Sequence, residues 1–250
     1  MFQFWTNLTI DLYGGYFMTP NGNFTNGDMG ENRGHSGGMY ENYYLHIFNN
    51  TRRIIAQCDA SGERGLSGVM RIVQAYGTLM TTDAYGPIPY SSILSGENEV
   101  YFEFDSQKDL YKAMLEDLST AITDISAMRA DEIAKLKSFD CWCNGDKDLW
   151  VKIANTMKLR MALRLSKRET EASNAGMNLK AIATEAAQNT LATVNKDILI
   201  DKSLENEMWL MFNWGDCGFN ANLVTIMSGT KDPRQPLSVS YTHLRAHETD

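Results

Sequence analysis

The sequence predicts a mainly all-α chain, on three observations: long segments whose apolar residues recur every three to four positions, breaker runs that separate them, and few alternating stretches of strand length. Its 250 residues, 43% hydrophobic and 22% charged, are ample for a core, and no stretch approaches the ~20 apolar residues of a membrane span. The net charge of −8 argues against a nucleic-acid partner, whose phosphates demand a basic surface.

The clearest helix spans Ser106 to Ile125, where Leu110, Met114, Leu118, Ile122 and Ile125 form one stripe. Ser106 suits the N-cap, with Asp109 three residues on as a capping-box variant favoured by the positive helix end. Leu66 to Thr82 repeats the pattern with Leu66, Val69, Met70, Val73, Tyr76 and Met80, and stops before Gly86-Pro87-Ile88-Pro89. Asp148 to Lys167 reads as a third helix, with Trp150, Ala154, Met157, Met161 and Leu165 inward and Lys152, Lys158, Arg164 and Lys167 outward. A fourth runs from about Ala172 to Gln188.

Upstream, Phe4 to Phe17 and Met39 to Cys58 are compatible with helix, and the Gly- and Asn-rich stretch Pro20 to Gly38 between them reads as a loop. Beyond Thr190, Asp197 to Ile200 and Met208 to Phe212 suit short strands and Asn220 to Met227 a short helix. Three stacked antiparallel pairs of tetratricopeptide-like helices then form a solenoid-like domain with long loops and a few short strands. No strict 34-residue period supports it, so this rests on pairing. The expected division is a helical region at 1–190, the start of a loop-rich ligand-binding part at 191–238, and a non-native tail at 239–250. Val239 to Thr249 looks like a translated sequencing adapter, which marks the chain as a fragment.

Cys58, Cys141, Cys143 and Cys217 have neither zinc-site nor disulfide-framework spacing, so no metal is expected. His35 and His46 stand without a nucleophile motif, and no Gly-rich phosphate loop precedes a helix, so neither catalytic residues nor a cofactor are expected. Met1 to Asn7 lacks the basic and apolar regions of a signal peptide, which taken alone reads as cytoplasmic.

Ile72-Val73-Gln74-Ala75-Tyr76-Gly77-Thr78-Leu79-Met80-Thr81-Thr82-Asp83-Ala84-Tyr85-Gly86-Pro87-Ile88-Pro89-Tyr90 closely resembles the SusD/RagB family, in which a helix ends in a Thr-Asp-Ala/Tyr-Gly-x-Val/Ile-Pro-Tyr turn. Three more blocks resemble that family in order. They are Phe104-Asp105-Ser106-Gln107 with Leu110-Tyr111, the run Trp150 to Ser166, and Asp232-Pro233-Arg234. The resemblance covers roughly residues 66 to 234, the N-terminal half of a family member. It implies a cell-surface nutrient-binding subunit on the outer membrane, held there by an N-terminal lipid anchor that this stretch does not contain. Its partners would be an oligosaccharide and a SusC-like TonB-dependent transporter, and it would bind without catalysing.

Sugars are held by aromatic faces against the apolar side of the pyranose ring, with amide, carboxylate and guanidinium groups on the hydroxyls. The candidates are Phe24, Asn26, His35 and Tyr40, in or beside the Gly- and Asn-rich insert where relatives carry a ligand loop, and Trp209, Asn213 and Trp214 past the helices. Each aromatic alone reads more simply as a packed side chain; together they are the candidate site. Asp83 to Tyr90, the basic residues of Lys152 to Arg168 and Asp232-Pro233-Arg234 are given the structural reading first. The other functional readings are a helical-repeat scaffold that grips a protein and an all-helical glycoside-processing enzyme.

Overall fold

The computed structural model describes residues 8–22, 33–96, 100–193 and 214–235. The chain divides into two compact units, one of residues 43–202 and one that joins residues 1–42 to 203–250. In chain order the helices are α1 (Asp11–Tyr13), α2 (Arg33–Asn42), α3 (Asn49–Ser61), α4 (Arg64–Tyr85), α5 (Ser91–Ser95), α6 (Gln107–Ser126), α7 (Ala130–Lys137), α8 (Lys147–Arg164), α9 (Glu169–Asn174), α10 (Leu179–Ala187) and α11 (Ala221–Gly229). Among the described residues four two-residue strands accompany them: β1 (Phe17–Met18), β2 (Ile88–Pro89), β3 (Phe104–Asp105) and β4 (Gly218–Phe219).

The larger unit is a serial helical array in which α3 packs on α4, α4 on α6, α6 on α8 and α8 on α10. The all-α reading holds, and α4, α6 and α8 match their expected positions. Ser106 is the N-cap of α6, its hydroxyl accepting the Asp109 N–H at 3.2 Å and donating to the Asp109 carboxylate at 2.6 Å. A Schellman turn joins α3 to α4. Gly62 adopts φ +74° and the Glu63 N–H reaches the Cys58 carbonyl at 2.8 Å. The antiparallel run of α4 and α6 follows from its contacts, since Arg71 pairs with Asp117 at 2.8 Å and Gln107 donates to the Thr82 carbonyl at 2.8 Å. Gly68 sets the spacing: a Cβ there would lie 3.0 Å from Ile125 and 3.1 Å from the Ala121 carbonyl oxygen. The core is built from Phe48, Ile72, Leu110, Met114, Leu118, Ile125 and Met161, all essentially inaccessible. Each such side chain contributes about 1.5–3 kcal/mol of burial.

The inward and outward assignments need correction where a helix has neighbours on more than one side. On α4 the buried line is Leu66, Val69, Ile72, Ala75 and Leu79, while Tyr76 is 48% exposed. On α8, Lys158 is buried, contrary to its outward assignment, because α6 and α10 both pack on this helix. Leu165 is only partly buried, in a 3₁₀ turn that follows α8. The helix expected over Ala172 to Gln188 is two helices. Gly176 at φ +85° closes α9, with the Met177 N–H on the Ala172 carbonyl at 2.9 Å, and the Asn178 side chain caps α10 at the Ala181 N–H. A π-helical turn, Tyr43–Phe48, precedes α3 within the segment expected as one helix. Helix α7 was not expected. Its Glu132, 2% exposed, accepts the Arg129 N–H at 3.1 Å and the Gly65 N–H at 2.9 Å, so one buried carboxylate caps both α7 and α4.

In the smaller unit β1 pairs antiparallel with β4, Phe17 opposite Phe219, and Leu8 and Leu12 are buried. Of the segment Phe4 to Phe17, a π turn at residues 8–10 and α1 are helical. The loop expected from Pro20 to Gly38 ends earlier than predicted, because α2 starts at Arg33 and runs through Gly34, Gly37 and Gly38 despite their poor propensity. Asn220 is the N-cap of α11, its side chain accepting the Asn222 N–H at 2.9 Å. The strands expected at Asp197 to Ile200 and Met208 to Phe212, and the tail at 239–250, lie outside the described residues. No helix among the described residues is long and apolar enough to cross a membrane.

Candidate functional site

Three of the four signature blocks meet in one structural joint. Gly86, at φ +78° and ψ −130°, takes a conformation that only glycine adopts freely, and turns the chain from α4 into β2. There Ile88 faces Asp105 and Pro89 faces Phe104 across the β2–β3 pair. The Asp105 carboxylate accepts the N–H groups of Tyr90 at 2.9 Å and Ser91 at 2.8 Å. Thr82 donates its hydroxyl to the Gly86 carbonyl at 2.7 Å. Asp83 then ties in the rest, accepting the Tyr111 hydroxyl at 2.6 Å and pairing with Arg164 of α8 at 3.1 Å. Burial and the Asp83 carboxylate together hold the Tyr111 phenol well above its ordinary pKa.

Behind the joint runs a buried polar chain. Thr51 donates to the Gln74 side-chain oxygen Oε1 at 2.9 Å, the Gln74 side-chain amide to the Tyr90 hydroxyl at 3.0 Å, and Tyr90 to Asp117 at 3.1 Å. Burial, followed by the Asp117 charge, pushes the Tyr90 phenol strongly upward. The Gly-Pro-Ile-Pro turn thus pairs with β3 ahead of α6, while the neighbouring Asp83 makes the link to α8. The basic face of α8 is likewise partly engaged. Lys152 donates to the Asn189 side chain at 2.6 Å and to the Thr193 hydroxyl at 3.0 Å. Asp232-Pro233-Arg234 is a turn in which Asp232 accepts the Arg234 N–H at 2.9 Å and its guanidinium at 2.6 Å. That pairing lowers the Asp232 carboxyl to about 2.

The smaller unit carries the aromatic surface. Trp214 is 57% exposed. Gly215, in the left-handed region at φ +74°, turns the chain behind it so that Asp216 is buried and accepts the Asn21 amide at 3.1 Å. Thr19, itself buried, fixes Asn21 by accepting its N–H at 3.2 Å. At the other end of the β1–β4 pair, Tyr16 is 57% exposed, and its carbonyl accepts the Asn220 N–H at 3.0 Å. Exposed rings flanking a short ribbon, with a buried carboxylate and a partly buried amide at one end, combine an apolar face with hydrogen-bonding groups.

Of the candidate residues, Trp214 is described and exposed, and Tyr40 lies partly buried on α2. His35 falls on the first turn of α2 and its side chain lies outside the described residues, as do Phe24, Asn26, Trp209 and Asn213. Sequence reasoning missed Tyr16, Asn21 and Asp216. The signal available was an amide beside Pro20 and Gly22 and a carboxylate behind Gly215, but their meeting depends on pairing residue 17 with residue 219. Among the described residues no group of three His, Cys, Asp or Glu side chains is placed to hold a metal, and all four cysteines are free thiols. A cleft of about 530 Å³ in the larger unit is lined by Glu169, Thr170, Ser173, Asn174, Asn178 and Leu179 among others, and offers no ring face.

Comparison with known proteins places this architecture among tetratricopeptide-like helical arrays. Over 94% of its length the chain superposes on a SusD homologue from Bacteroides vulgatus (24% identity, TM-score 0.77, 47% of that chain). It covers the same share of itself on a SusD homologue from Bacteroides ovatus (27%, 0.73, 47%) and on a chitin-binding SusD homologue from Flavobacterium johnsoniae (24%, 0.76, 49%). The chain therefore spans about half the length of these solved relatives. The comparison with curated proteins gives no match. The sequence pattern of the SusD-like family, described as Susd and RagB outer membrane lipoprotein, matches residues 1–248, and the chain belongs to that family.

Proposed function

We propose that this chain is the N-terminal part of a surface nutrient-binding protein that captures an oligosaccharide and passes it, unaltered, to a SusC-like TonB-dependent transporter in the outer membrane. The observation that carries this reading is the family match over residues 1–248, whose members are described as outer-membrane lipoproteins. A solved relative named as chitin-binding supports a glycan as the ligand class. The exposed Trp214, beside the Asn21–Asp216 pair, supports a contact surface of the right chemistry. Phe24, Asn26, His35, Tyr40, Trp209 and Asn213 are proposed to complete it. The proposed organisation keeps a helical frame at 1–190, the beginning of the ligand-binding part at 191–238 and a non-native tail at 239–250. Attachment to the outer leaflet through an N-terminal lipid is part of the same proposal.

The test is calorimetric titration of the full-length polypeptide with chitohexaose, maltohexaose and xylohexaose. Trp214→Ala is expected to weaken binding of the preferred sugar about tenfold, the equivalent of about 1.4 kcal/mol, with the thermal midpoint unchanged. Unchanged affinity removes Trp214 from the site. A wild-type protein that binds none of the three sugars contradicts the ligand class.

A further inference from the structure

The turn between α7 and α8 carries an aromatic cluster that the capture reading does not use. At its base Trp150 is 3% exposed. Trp142 stacks on it with ring centroids 5.6 Å apart and an interplanar angle of 11°, and Tyr76, from the middle of α4, meets Trp142 edge-on at 6.3 Å and 87°. One carboxylate organises the turn. Asp140 Oδ1 accepts the N–H groups of Trp142 at 2.9 Å and Cys143 at 3.0 Å. Its Oδ2 accepts the Gly145 N–H at 2.9 Å and the Trp150 indole N–H at 2.8 Å. Gly145 closes the turn at φ +77°, where a Cβ would lie 2.6 Å from the Lys137 Cβ, so no other residue fits.

Rings gathered to make a core sink together, and here only Trp150 does. Trp142 keeps part of its surface in solvent, Tyr76 is 48% exposed and Phe139, which opens the turn, is 56% exposed. Lys137, Ser138 and Asn144 around them are exposed. A rigidly held group of rings with a rim of donors and acceptors has the two-sided chemistry that a sugar unit presents, an apolar ring face bordered by hydroxyls. No continuous apolar stripe, of the kind a partner helix would need, accompanies it.

We propose that Tyr76 and Trp142, with the exposed Phe139 three residues earlier in the same turn, form a carbohydrate-contact surface in the larger unit that takes one pyranose unit of a longer chain. Asp140 is its positioning residue: its oxygens are occupied by the turn, so it sets the rings and does not touch the sugar. The proposal rests on the glycan-capture reading and adds a subsite within the helical frame.

The test uses the full-length polypeptide and the sugar it prefers among chitohexaose, maltohexaose and xylohexaose. Tyr76→Ala and Phe139→Ala are each expected to weaken affinity about five- to tenfold, as for one lost stacking contact, while Tyr76→Trp stays within about twofold of the wild type. The indole N–H resonance of Trp142 in the wild-type protein should shift on titration, a readout that needs no variant to fold. Wild-type affinity in both alanine variants, with the Trp142 resonance unmoved, overturns this surface while the capture reading stands. Normal sugar binding with loss of a co-purifying membrane partner assigns the rings to a protein contact and also overturns it. A wild-type protein that binds no sugar overturns both.

Discussion

Replacing Asp105 by Ala isolates the contribution of the joint in which the signature blocks meet. Its carboxylate accepts the N–H groups of Tyr90 and Ser91, at 2.9 and 2.8 Å, across the two-residue β2–β3 pair. A hydrogen bond to a charged group contributes about 1.5–3 kcal/mol, and water replaces the carboxylate only at the exposed Ser91 site. The bond to Tyr90, a residue 4% exposed, therefore carries most of the effect. The expected loss is about 2–3 kcal/mol, a large share of the roughly 5–15 kcal/mol by which a domain is stable. For a chain of this size that corresponds to a fall of about 4–12 °C in Tm. Both N–H groups share the oxygen Oδ2, so Asp105→Asn can keep both bonds, loses the acceptor's charge and should cost less than Asp105→Ala. Urea unfolding followed by circular dichroism at 222 nm gives the free energies. If Asp105→Ala stays within about 0.5 kcal/mol of the wild type, the reasoning that this carboxylate clasps the joint is refuted.

Glu132 should prove still more sensitive, because its two oxygens cap two helices from a buried position. Glu132→Ala should cost about 2–4 kcal/mol, and Glu132→Gln, whose amide nitrogen cannot accept, about half that; a neutral Gln variant would show that one of the two caps is dispensable. Gly68→Ala improves helix propensity by about 1 kcal/mol but forces a Cβ against Ile125 and Ala121, and overpacking of about 1–3 kcal/mol should win. A raised Tm for that variant would mean that α4 and α6 separate freely. Alkaline pH should destabilise the fold. Burial pushes the Cys143 thiol up to about 12 and raises the phenols of Tyr90 and Tyr111, so above about pH 9 the unfolded chain releases protons that the folded chain retains. Stability is therefore expected to be flat at neutral pH and to fall as pH rises through 9 to 12. A protein as stable at pH 10.5 as at pH 7.5 by urea titration would contradict those shifts.

The helices were legible where one face alone is buried. The stripe Leu110, Met114, Leu118 and Ile125 on α6 is both what periodicity selects and what the fold buries. Legibility failed on α4 and α8, which have neighbours on more than one side, so that Tyr76 reads as core and Lys158 as surface while the reverse holds. The break between α9 and α10 was written in Gly176 and Asn178, a left-handed closure and a cap, but the Ala-rich pattern around them masked it. Helix α7 escaped because its start depends on Glu132, whose reach to Gly65 is a tertiary contact. For the proposed contact surface, the sequence names Trp214 but not the neighbouring Asn21 and Asp216, which meet only because β1 pairs with β4 some 200 residues away. The Trp142 turn was invisible for the same reason: Asp140 and Trp150 are ten residues apart, and only the fold brings the indole N–H onto the carboxylate.

Capture without chemistry is tested most directly by following the sugar itself. The full-length polypeptide is incubated with its preferred hexasaccharide, bound and free sugar are separated by ultrafiltration, and both are sized by chromatography over a day. Saturable retention of an intact hexasaccharide is the expected result. Shorter fragments that accumulate with time, or the absence of any retained sugar, would contradict it.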